Sequence, residues 1–124
     1  MRTVILIALL SITSAHSFAA SSLTCPSQLP AANNKLVGVT LYDEKDNTQY
    51  DLAPSSDKQV GQMTMQTWDG FTTEADVKTF VRCQYLNTEK SVTLAIPKTI
   101  KSCHFEFPYP DTATSKLKAK FECN

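Results

Sequence analysis

The sequence predicts an all-β domain: a small antiparallel sandwich or open barrel of six to seven short strands, stapled by disulfides. Three observations predict it. Apolar and polar residues alternate in several separate stretches, most clearly at Val77, Thr79, Val81, Cys83, Tyr85 and at Leu117, Ala119, Phe121, Cys123. Side chains two apart on an extended strand share a face, so each stretch has a buried side and a wet one. Polar turn-forming clusters at 44–48, 69–70, 86–90 and 108–115 separate the stretches, and no segment sustains the 3.6-residue apolar period of a helix.

Residues 1–20 read as a cleaved secretory signal. Arg2 supplies a positive start, Val4 to Leu10 with Ile12 an apolar core, and Ser17, Phe18 and Ala19 the small-residue pattern of a cleavage site. The apolar run is shorter than the roughly 20 residues of a membrane span. Lipidation at Cys25 is disfavoured, because it would leave three cysteines in an oxidising compartment. Residues 21–124 are then one β domain, a length suited to a single core.

Along that domain, Cys25-Pro26, Pro30 and Asn33-Asn34 keep the first arm irregular. Over 36–43, Val37, Val39 and Leu41 share one strand face and Thr40 and Tyr42 the other. A short returning strand follows at 50–53, halted by Pro54, and 55–57 reads as loop. The stretch 60–68 is a weaker strand: Met63 and Met65 agree in phase, Val60 does not, and a bulge near Gly61 would reconcile them. Asp69-Gly70 breaks it, and Thr73 with Asp76 suggests one helical turn. The strands at 77–85 and 91–97 form a hairpin, and Cys103, Phe105 and Phe107 alternate in the next strand. In the last one, Lys116, Lys118, Lys120 and Glu122 point outward, a pattern that guards edge strands.

The whole chain has 12 basic and 12 acidic residues, which argues against general nucleic-acid binding, since that rests on a basic surplus. The charge is nevertheless uneven. Residues 35–77 hold three basic and eight acidic residues, and 78–124 hold eight basic and four acidic. Separate acidic and basic patches of this kind steer a partner electrostatically.

Four cysteines follow the signal: Cys25, Cys83, Cys103 and Cys123. No two lie close enough in sequence for a zinc site, and His104 is the one histidine beyond residue 20, so neither metal nor other cofactor is expected. Of three possible pairings, Cys25–Cys83 with Cys103–Cys123 is favoured. The first would pin the N-terminal arm to a central strand, and the second would close a hairpin. With Gly38, Gly61 and Gly70 the chain's complete set of glycines, there is no phosphate-cradling loop or nucleophile elbow. His104 beside Cys103 makes a poor catalytic pair, because neighbours on a strand face opposite ways. Asp43, Glu44 and Asp46 read as a solvated turn. No enzyme is expected.

Recognition remains. Tyr109, held between Pro108 and Pro110, and the nearby Asp111 are the first candidates for partner contact. Trp68 and Asp69, in a turn with Phe71, are the second. Rigid aromatic side chains on loops give contact area at low entropic cost.

The order Cys25-Pro26, Leu52-Ala53-Pro54, Trp68, Cys83-Gln84-Tyr85-Leu86-Asn87-Thr88, Leu94-Ala95-Ile96-Pro97, Cys103 and Cys123 resembles a family of small exported four-cysteine proteins of Gram-negative bacteria. The match is strongest from 80 to 123 and weakest from 55 to 77, and Ile96-Pro97 replaces a more usual Leu-Pro. The resemblance implies a periplasmic address, with secretion as the alternative. Some relatives accompany contact-dependent antibacterial secretion. The expected function is therefore non-catalytic binding in the periplasm, as an immunity protein or inhibitor of a secreted toxin or enzyme acting on the cell wall. A structural envelope component without inhibitory activity is the alternative. No membrane association is expected once the signal is removed.

Overall fold

Strand pairing sorts the chain into two antiparallel sheets. The computed structural model describes residues 22–30, 34–108 and 117–124. Nine strands run through them: β1 (Leu23–Thr24), β2 (Leu36–Lys45), β3 (Thr48–Asp51), β4 (Ser56–Val60), β5 (Met63–Asp69), β6 (Lys78–Tyr85), β7 (Ser91–Ile96), β8 (Ser102–Pro108) and β9 (Lys120–Cys123). One sheet has the order β1-β9-β8-β5-β4 and the other β3-β2-β6-β7. The architecture is thus an open sandwich rather than a barrel.

The inward-facing residues of β2, β5, β6, β7, β8 and β9 fill the space between the sheets. From the four-stranded sheet come Leu36, Leu41, Val81, Cys83, Tyr85 and Ile96. From the five-stranded sheet come Trp68, Cys103, Phe105, Phe121 and Cys123. Register explains why the parities agree. Leu41 lies opposite Val81 and Val81 opposite Leu94, while Phe105 lies opposite Phe121, so apolar residues meet in rows across each sheet. Two disulfides staple the fold, one within a sheet and one between the layers. Cys103–Cys123 joins directly opposed residues of β8 and β9, and Cys25–Cys83 ties the arm after β1 to β6 in the other sheet. Beside the latter, Tyr85 Oη donates to Pro26 O at 2.8 Å.

The structure corrects several expectations. Ser56 and Asp57, expected in a loop, open the strand Ser56–Val60, although all five of its residues are exposed. This edge strand buries no face, so it leaves no alternating pattern to read. Val60 is out of phase with Met63 because the chain reverses between them: they are directly paired across a hairpin in which Gly61 has φ +61°. The irregularity in the ladder lies instead between Leu36 and Gly38. No helical turn forms at 72–76; Val77 N–H donates to Glu74 O at 3.2 Å, closing a simple turn. Nor is β9 an edge. β1 pairs with its end at Cys123 and Glu122, and Cys25 N–H reaches Phe121 O.

Candidate partner-binding site

The end of the sandwich where β5 runs out carries two hollows beside the predicted contacts Trp68 and Asp69. Chain direction brings three connections there: the β2–β3 turn, the segment after β5 and the one after β7. Asp46 and Asn47 both have positive φ, the backbone of a tight two-residue hairpin, with Lys45 opposite Thr48. Gly70, φ +68°, turns the chain as β5 ends, and Asp69 N–H donates to Ser55 Oγ at 3.1 Å.

Beyond Gly70, half-buried Phe71 packs against the core and stands between two hollows. On one side a cleft of about 300 Å³ is walled by Asp43, Asp51 and Asp69, with Leu52 and Trp68 beneath. On the other side a notch of about 100 Å³ runs along Ile96, Pro97 and Lys98 to Lys101. Thr79 Oγ1 donates to Asp43 at 2.7 Å, which fixes that carboxylate. Lys98 Nζ donates to Val77 O at 2.6 Å and Thr72 O at 3.2 Å, which ties the segment after β7 to the one before β6. Lys45 lies 3.4 Å from Asp76 and 3.9 Å from Glu74. These exposed ion pairs contribute little to stability. Asp43, Asp51 and Asp69 make one hollow acidic, and Lys98 and Lys101 make the other basic.

The predicted contacts are placed unequally. Asp69 is exposed at the mouth of the acidic cleft. Trp68 is only 4% exposed. Its indole N–H donates to Leu52 O at 3.0 Å and its ring meets Phe121 edge-on at 6.5 Å. It is a floor for the cleft, not a projecting anchor, because its parity on β5 points into the core. Tyr109 and Asp111 lie outside the described residues.

Sequence reasoning missed a cluster on the face of the four-stranded sheet opposite the main core, where Tyr42 is buried and Phe80 and Arg82 are half-buried. Tyr42 stacks on Phe80 at 5.4 Å, and the Arg82 guanidinium sits 5.0 Å above the Tyr42 ring. The available signal was two aromatics on the strand parity opposite the core, at 42 and 80.

The groups considered for chemistry are engaged otherwise. All four cysteines are in disulfides, so Cys103 offers no thiolate beside His104. His104 Nδ1 lies 3.3 Å from Thr67 Oγ1 on the outer face of its sheet. Among the described residues no cluster of three or more His, Cys, Asp or Glu side chains is arranged to hold a metal ion.

The family model of the type VI secretion system Tli immunity protein matches residues 31–124. The chain belongs to that family. No curated protein and no solved structure matches it. The matched residues include every strand from β2 to β9, both hollows beside Phe71 and three of the four cysteines. An immunity protein works by engaging a toxin, so for this family member the question becomes which surface the toxin meets.

Proposed function

We propose that this chain is a periplasmic immunity protein that binds a toxin acting on the cell wall and neutralises it by covering it, without catalysis. Membership of the immunity family carries the reading. The two disulfides support an oxidising compartment, since cytosolic thiols stay reduced, and the signal-like residues 1–20 supply a route to it. The contacts proposed on this chain are Asp69 at the acidic cleft, with Trp68 holding the cleft floor, and the loop residues Tyr109 and Asp111.

The test is to produce the product of each open reading frame adjoining this chain's gene in the periplasm of a host, with and without the chain, and to follow any that proves toxic. Rescue of growth, together with inhibition of the purified toxin by equimolar chain, is the expected result. Growth arrest that persists while the chain accumulates in the periplasm would rule the reading out. Following peptidoglycan and phospholipid breakdown in the same assay reads the toxin's target, and release of lipid fragments alone would move it from wall to membrane.

A further inference from the structure

The outer edge of β7 carries an inference that rests on this reading and adds the mode of binding. An open sandwich has four edge strands, and edges with unpaired backbone groups invite pairing with another chain. Here the edges are β1, β4, β3 and β7. β1 has two residues, β3 has four and ends on Asp51, and β4 carries Asp57-Lys58 at its centre. Shortness and charge are the usual protections. β7 has neither. Its six residues, Ser91-Val92-Thr93-Leu94-Ala95-Ile96, include no charge and no proline, and its ladder with β6 runs unbroken from Gln84↔Ser91 to Thr79↔Ile96.

The direction of its free groups follows from register. In an antiparallel ladder each residue points both its N–H and its C=O to one neighbour, alternating along the strand. Leu52 N–H donates to Leu41 O, so Leu41 faces the β3 side and Tyr42 faces β6. Tyr42 is paired with Phe80, which leaves Val81 to bond its partner Leu94 on β7. Ser91, Thr93 and Ala95 therefore aim their N–H and C=O away from the sheet. Their side chains are exposed, and Val92 and Leu94 lie half-buried at the lip of the core.

We propose that β7 is the edge on which the toxin adds an extended strand, continuing the four-stranded sheet as a fifth strand. Charge selects the occupant. Between Lys78 and Lys101 the hairpin and its flanks hold five basic residues, Lys78, Arg82, Lys90, Lys98 and Lys101, and one acidic residue, Glu89. A second copy of this chain would bring the same positive hairpin against itself. A toxin segment with apolar residues in alternation and carboxylates at its ends fits instead.

The probe is the toxin found in that growth assay, purified with its catalytic residue replaced. Amide exchange at Thr93 and Ala95 should slow on adding it, while β3 and β4 amides keep their rates. Thr93→Pro removes an outward N–H without touching the β6 ladder, and Thr93→Glu sets a like charge against the acidic segment. Each should weaken toxin affinity by about 10-fold, for Thr93→Pro the weight of roughly one hydrogen bond, with the unfolding midpoint held. Binding that leaves Thr93 and Ala95 exchange unchanged would overturn the inference while sparing the immunity reading. So would protection in the free chain that grows with its concentration, which would name a second copy as the occupant. A wild-type chain that does not bind the toxin would overturn the immunity reading itself. Should either variant misfold, exchange on the wild-type complex still decides.

Discussion

Trp68 and Tyr85 each bury a ring and satisfy its polar handle with a backbone carbonyl from a distant part of the chain. The indole bonds Leu52 O and the phenol bonds Pro26 O. Trp68→Ala removes a buried ring from beside Phe121, and a loss of about 3–5 kcal/mol is expected in urea unfolding. Tyr85→Phe keeps the ring and loses one bond, so about 1 kcal/mol is expected. Burial raises the Tyr85 phenol above its ordinary 10.0, since the charged phenolate is the disfavoured form. A raised value means the folded chain holds this proton where the unfolded chain has released it. The stabilisation is complete below pH 10 and fades as pH climbs through the folded value. Ultraviolet titration should show a late phenolate that Tyr85→Phe abolishes. Trp68 also shows the limit of reading residues one at a time. Burial is the commoner outcome for a tryptophan read alone, but only the register of β5 against β8, with Trp68 opposite Cys103, fixes that this ring turns inward.

Among the elements, the β2–β3 hairpin has the strictest local demand. Asn47 at φ +59° sits where side chains beyond Asn, Asp and Gly are strained. Asn47→Gly should leave stability unchanged or raise it by a few tenths of a kcal/mol, and Asn47→Val should cost about 1 kcal/mol or more. Thermal unfolding of the two variants checks both. β6, β7 and β8 were legible because each has one face in the core and one in water. β4 and β1 were not, since β4 buries nothing and β1 is too short to show a period. Leu117 marks the same boundary from the other side. It continues the apolar parity of β9, yet it lies outside the strand and is 40% exposed.

At the scale of the whole molecule, the two disulfides do different work. Cys103–Cys123 closes a stretch with a sequence separation of 20 within one sheet, and Cys25–Cys83 closes one of 58 between sheets. Loop-closure entropy makes these worth about 3 and 4 kcal/mol respectively, against a typical small-domain stability of about 5–15 kcal/mol. Replacing Cys25 and Cys83 together by Ala should cost more than replacing Cys103 and Cys123 together, and reductant should lower the unfolding midpoint of the native chain more than either pair does. Denaturant titrations of the three samples compare them directly. A larger effect from the Cys103–Cys123 pair would show that strain or residual structure outweighs loop length. The uneven charge also acquires a place at this scale. Asp43, Asp51 and Asp69 wall one side of Phe71, and Lys98 and Lys101 lie on the other.

The sequence by itself determined the all-β class and the inward set on β6 and β9, because period-two alternation and short polar turns are local properties of a chain, and it favoured one cysteine pairing among three without deciding it. Only the tertiary structure decided which strands are edges, that the Trp68 ring belongs to the core, and that the backbone of Thr93 and Ala95 faces outward. Those depend on which strand lies beside which, and pairing joins residues far apart in sequence through hydrogen bonds that no single stretch specifies.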